Sequence, residues 1–290
     1  MDIFIQLVVN GLLLGGAYAI ISVGLTLIFG VVRVVNFAHG ELLMVGMYGT
    51  YLLASNLGWH PYVSIFPIAL LLFGLGALMQ RAIIQPLLEA DGHIQIFATV
   101  GVSTALMNLA LLVFGADILS TSVQVGTGTL QLGFLTIGEG QLITLIVALL
   151  LVIGMHVFMT RTYLGRAFRA VAQHRYAAAL MGVNVNAIYV IAFALGASFV
   201  GVAAALLTPQ YPVFPTIGTY FVLTAFVIVV LGGMGSLSGA FLGSMLIGLV
   251  DSLAGYYVAP DLKEVVYFAI FILILVFRPT GLFGLGRGSE

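Results

Sequence analysis

Asn36, His39 and Glu41 fall within one short stretch, NFAHGE, of a chain that is otherwise poor in polar groups. Before them, more than thirty residues carry only two charges, Asp2 and Arg33. The stretch supplies an amide and an imidazole that can hydrogen-bond a polar solute. It also supplies a carboxylate that can hold a helix end, titrate or ligate an ion. His39 and Glu41 are two positions apart, so on a helix they do not face each other and make no joint metal or acid–base site. A second group is the basic segment YLGRAFRAVAQHRYAAALMGVNV, Tyr163–Val185. In it, Arg166, Arg169 and Gln173 share one face of a helix that Gly182 can end. An alanine-rich helix carrying arginines suits a groove on a partner protein better than a lipid surface, because bulky apolar anchors are few, mainly Phe168 and Tyr176.

The elements that must position these groups follow from composition. The 290 residues are 62% hydrophobic and 7% charged, with a mean hydropathy of +1.21. Soluble domains are about 25% charged, so the chain is expected to be an all-α polytopic membrane protein. A helix needs about 20 apolar residues to cross. On that ruler, spans are expected near Ile3–Gly30, Phe37–Leu57, Tyr62–Met79, Ile94–Phe114 and Gln141–Met159. Others follow near Ala187–Thr208, Tyr220–Leu231, Ala240–Tyr257 and Val265–Phe277. The glycine-rich stretch Gly232–Gly239 is either a loop or a break in one long helix, which sets the count at eight or nine. With the N-terminus outside and nine crossings, all eight arginines (Arg33, Arg81, Arg161, Arg166, Arg169, Arg175, Arg278 and Arg287) fall inside, and Lys263 alone falls outside. The first span lacks a basic leader and is expected to stay in the mature protein.

Gly11 and Gly15 form one GxxxG spacing, and Gly235, Gly239 and Gly243 form two more, with Gly232 and Gly233 just ahead. Such spacing lets helix backbones approach closely. The segment Gly115–Gly140 has no Lys or Arg and should be external. Pro209, Pro212 and Pro215 stiffen a second external turn.

Two readings of NFAHGE stand side by side. In one, Asn36 caps the second helix at the membrane surface, Glu41 suits that helix's positive end and Arg33 anchors at the headgroups. In the other, the second helix is broken and Asn36, Phe37, His39 and Glu41 line a polar path, because irregular backbone is tolerated at depth only when buried or beside a cavity.

Several functions are excluded or weakened. There is no cysteine, so disulfides and thiol chemistry are absent. The only lysine, Lys263, sits in no GxxxxGK[ST] loop, so if ATP drives transport, another chain hydrolyses it. An ion-coupled transporter would have to rely on Glu41, Glu139 and Asp251, and an intramembrane enzyme using His39 has no second catalytic group at useful spacing.

Five stretches in order resemble the permeases of branched-chain amino acid ABC importers, specifically the shorter LivH-type subunit. They are NGLLLGGAYAIISVGLTLIFGVVRVVNFAHGELLMVGMY from Asn10, TVGVSTALMN from Thr99 and GRAFRAVAQHRYAAALMGVNV from Gly165. VVLGGMGSLSGAFLG from Val229 and FRPTGLFG from Phe277 complete the set. LivM-type subunits share the pattern but carry a longer N-terminal portion. The resemblance implies one permease domain over 1–290, with a cytoplasmic coupling loop at about 161–186. In that loop Gly165, Arg166, Arg169, Ala178 and Gly182 would dock in a cleft of an ATPase. It implies a LivM-type partner, two ATP-binding subunits that use ATP and magnesium, an external substrate-binding protein and a bacterial inner-membrane location. It implies no cofactor in this chain. Leucine, isoleucine and valine are the implied cargo, with urea or short amides as the alternative.

Overall fold

A computed structural model describes residues 2–121, 126, 128–278 and 280–283. Arg287, and Pro279 and Gly284 of the FRPTGLFG stretch, lie outside the described residues. The chain is built of helices: α1 (Asp2–Val32), α2 (His39–Leu57), α3 (Ile65–Met79) and α4 (Gly92–Phe114). A π-turn and a 3-10 turn carry α3 on to Leu87. Then come α5 (Glu139–Arg161), α6 (Tyr163–Gln173), α7 (Arg175–Leu180) and α8 (Val185–Leu207), and finally α9 (Ile217–Gly232), α10 (Leu237–Tyr257) and α11 (Lys263–Phe277).

Among the described residues, six helices are long and apolar enough to cross a membrane: α1, α3 with its extension, α4, α5, α8 and α10. α9 and α11 are shorter, at 16 and 15 residues, and α2 is diluted by polar side chains. Of the segments that the sequence offers as eight or nine spans, six are helices of full crossing length and three form short or polar helices.

The helices are apolar all round, and position decides which face is buried. α1 and α8 form the centre, while α3, α4, α5 and α11 turn exposed leucines, isoleucines and phenylalanines outward. Without a hydrophobic drive between helices in lipid, close packing must hold the centre together. Gly11 of α1 lies against Gly248 and Leu249 of α10, and Gly15 against Ser244 and Met245. Gly24 lies against Gly196 of α8, where an added Cβ would come within 2.6 Å of the Gly196 carbonyl.

The glycine-rich stretch is a tight reversal, not a break in one long helix. Gly233 and Gly235 have φ of 100° and 90°, values that side-chain-bearing residues rarely adopt. α9 and α10 then run back along each other, with Gly232 against Gly239 and Gly243 against Ile228. Gly235 consequently lies in the turn, off the α10 face, and that face begins at Gly239.

The arginine-free segment is not all loop. Thr129–Leu132 (β1) and Leu135–Gly138 (β2) pair as an antiparallel hairpin, and the Gln6 side chain bonds Thr136 as a third strand would, donating to its carbonyl at 2.7 Å and accepting from its N–H at 2.8 Å. Val213, among the prolines, pairs with Leu119.

Candidate functional site: the junction of two short helices

The chain leaves α1 at Val32, turns at Arg33 and comes back into the bundle. His39 Nε2 lies 3.1 Å from the Ile21 carbonyl. Ile21 is 32 − 21 = 11 residues above the end of α1, about 16 Å of helix at 1.5 Å per residue. α2 therefore starts deep beside α1 rather than at its end. α4 agrees: Thr99, 99 − 91 = 8 residues and so about 12 Å past its N-cap, donates to the Val35 carbonyl of the link at 3.2 Å.

α9 starts at the same place. The backbones of Gly40 and Gly218 touch, and a Cβ on Gly40 would collide with the Gly218 carbonyl. Phe37 stacks on Phe226 with centroids 4.9 Å apart. Glu41 sits between the two helix starts: Oε1 accepts from Ser103 of α4 at 3.0 Å and from Thr219 of α9 at 3.5 Å. Oε2 lies where a Gly218 side chain would be. The positive ends of two helix dipoles thus meet near one carboxylate.

Asn36, His39 and Glu41 are essentially inaccessible, at 0, 0 and 1%. The surface-cap reading of Asn36 does not hold. The residue ahead of α2 is Ala38, without a side-chain cap, and the Asn36 Oδ1 accepts from the Ala38 N–H at 3.1 Å. Because a carbonyl only accepts, His39 carries hydrogen on Nε2. Among the described residues, His39 Nδ1, Asn36 Nδ2 and Glu41 Oε2 have no hydrogen-bond partner, nor do the hydroxyls of Ser22 and Thr26 on α1. Buried polar groups normally find partners, so this junction is a place where a solute or water would be hydrogen-bonded.

The basic segment forms two helices where the sequence suggested one. Thr162 caps α6 by accepting from the Gly165 N–H at 3.0 Å. His174 then breaks the helix and caps α7 through Nδ1, accepting from the Ala177 N–H at 3.2 Å. Gly165, Ala167, Phe168 and Val171 are buried, so Phe168 is no surface anchor, whereas Arg166, Arg169 and Gln173 face outward. Gly165 passes so close to Phe158 and Met159 that no side chain fits. Arg169 also bonds the Met159 carbonyl. On α7, Ala178 is buried and Tyr176, Leu180 and Met181 form an exposed apolar tip, which Gly182 ends with φ of 83°.

The comparisons with known proteins fit these parts together. Residues 7–275 match the family described as branched-chain amino acid transport system / permease component. The chain belongs to that family. The permease is 33% identical to the high-affinity branched-chain amino acid transport permease BraD of Pseudomonas aeruginosa, over 97% of this chain and 96% of that one. It is 32% identical to LivH of Escherichia coli, again over 97% and 96%. LivM of Escherichia coli is more distant, at 24% over 93% of this chain and 68% of its own. No solved structure matches.

One feature of the permease escaped the sequence reading. Asp251 of α10 and Lys263 at the start of α11 form an ion pair at 2.9 Å. Tyr18 of α1 donates to the other Asp251 oxygen at 2.8 Å, and Lys263 lies 5.7 Å from the Tyr220 ring centroid. A carboxylate inside the apolar run of α10, twelve residues before the only lysine, was the available signal. The other two carboxylates proposed for ion coupling stand apart from it, Glu41 at the junction and Glu139 at the start of α5 beside Gly128.

Proposed function

We propose that this chain is the LivH-type permease subunit of an ATP-driven importer of branched-chain amino acids in a bacterial inner membrane. The observation that carries the reading is the family match over nearly the whole chain. The subunit crosses nine times with its N-terminus outside: α2, α9 and α11 complete the crossings of the six long helices, and Arg33, Arg81, Arg161 and Arg278 then stand at the inner ends of α1, α3, α5 and α11. It works beside a LivM-type permease, two cytoplasmic ATPase subunits that use ATP and magnesium, and an external binding protein.

The path opens where α2 and α9 meet. The arrangement seen is the closed one, and the orphaned groups of Asn36, His39 and Glu41 gain solvent or solute partners when the junction parts. ATP moves the subunit only by favouring one state over the other. The α6–α7 pair, about 161–186, docks in the ATPase with the Tyr176–Leu180–Met181 tip inserted and Arg166 and Arg169 beside it, and Gly165 and Ala178 seat the pair on the bundle.

Purification of the tagged chain in gentle detergent, followed by mass spectrometry, is expected to recover an ATPase bearing a P-loop. Reversing both arginines (Arg166→Glu with Arg169→Glu) should abolish uptake and release the ATPase while membrane insertion stays normal. Normal uptake in that double variant would sink the docking assignment. Competition of leucine uptake by urea and short amides identifies the cargo: inhibition by amides but not by valine would replace the amino-acid reading.

A further inference from the structure

Below the end of α1 lies a cavity of about 330 Å³, bounded by elements far apart in sequence. It is lined by Val31 and Val32 at the end of α1, Arg33 and Val34 of the α1–α2 link, Leu88 of the α3–α4 turn, and His174 and Arg175 at the α6–α7 joint. Among the described residues, no carboxylate lines it. Glu89 belongs to a neighbouring cavity that shares Leu88, Arg175, Tyr176 and Tyr189 with it. Arg33 is the one non-glycine residue with positive φ among the described residues, at 61°, a conformation that costs energy and persists only where the surroundings impose it. That turn lets Arg33 donate to the Ala172 carbonyl at 2.8 Å, across 139 positions of sequence. Arg175 is held over the Tyr176 ring, 4.8 Å from its centroid, and donates to the Tyr176 hydroxyl at 2.9 Å. The positive-inside rule explains why arginines lie on this side. It does not explain why two of them converge on one concave space with valines in its lining and no acid.

We propose that this cavity binds a phosphate-bearing anion, which ties the α1–α2 link to the α6–α7 joint. Arg33 spends one donor on the Ala172 carbonyl, and a guanidinium carries five N–H donors in a planar fork suited to phosphate oxygens. A concave basic site in a low-dielectric wall concentrates anions. The source is either an inner-leaflet lipid headgroup or free phosphate. Because the two walls belong to the junction and to the docking helices, occupancy braces the link between them. That consequence rests on the function proposed above; the binding site itself does not.

The test is thermal unfolding of whatever assembly the chain purifies in, reconstituted in nanodiscs. One arm compares phosphatidylcholine with an equal mixture of phosphatidylcholine and phosphatidylglycerol. The other titrates inorganic phosphate into phosphatidylcholine nanodiscs at ionic strength held constant with potassium chloride. The unfolding temperature is expected to rise in one arm, which names the source. Arg175→Gln should weaken the response about tenfold, and Arg33→Gln with Arg175→Gln should remove it. No rise in either arm, or an undiminished rise in Arg175→Gln, overturns the site. Failure to recover an ATPase would overturn the importer reading and leave this result standing.

Discussion

Replacing Lys263 by methionine is expected to lower the unfolding temperature of the permease sharply and to reduce the folded protein recovered from membranes. Asp251 is 4% exposed and Lys263 26%, so the change leaves a buried carboxylate with Tyr18 as its single remaining partner. Removing one member of a buried pair costs about 3–5 kcal/mol, and the lower end applies here because the ammonium is partly open. α11 feels the loss most. Among its described residues only Tyr267 is buried, held by the Thr224 hydroxyl at 3.2 Å, so the ion pair is its main polar tie to α10. The double variant Asp251→Asn, Lys263→Met should recover most of the loss, since the charge to be compensated has gone. Asp251→Asn alone should be milder than Lys263→Met, because the long lysine can carry its charge towards the surface. Melting of the detergent-solubilised protein, read by size-exclusion recovery after heating, decides it. Equal melting of Lys263→Met and the parent would show that the pair holds nothing.

That pair also marks where the sequence stopped being readable. Apolar runs gave every crossing candidate, because lipid imposes a length that a hydropathy window detects. Residue type marked the glycine stretch before α10, leaving turn or helix break open, and raised the depth-or-surface question at NFAHGE. The answer at NFAHGE needed Ser103 and Thr219, 62 and 178 positions from Glu41, and no local pattern reports such partners. The break at His174 was hidden for another reason. Gln173-His174-Arg175 contains neither glycine nor proline, so α6 and α7 read as one helix until the His174 ring is seen capping the second. The hairpin of β1 and β2 is four residues a side, too short for alternation to stand out against a polar segment.

Gly40→Ala is expected to stop uptake outright, and Gly218→Ala nearly so. A methyl group on Gly40 meets the Gly218 backbone carbonyl and, at 2.8 Å, the Val222 Cβ. One on Gly218 meets the Glu41 carboxylate and the Gly40 backbone. The Glu41 carboxylate can swing aside, but the facing Gly40 and Gly218 backbones cannot, so the helices themselves must separate. Overpacking of this kind costs about 1–3 kcal/mol or more. Separation also draws Glu41 away from Ser103 and Thr219, leaving a second carboxylate oxygen without donors. Gly74→Ala on α3 is the control: nothing lies within 4 Å of the added carbon, and alanine favours a helix by about 1 kcal/mol over glycine, so uptake should be unchanged. Radiolabelled leucine uptake, normalised to folded protein, separates two outcomes. A Gly40→Ala permease that is abundant and heat-stable yet inactive places the moving part at the α2–α9 contact. One that transports at the parent rate would mean that the two helices part without passing through this contact, and the path would have to be sought elsewhere.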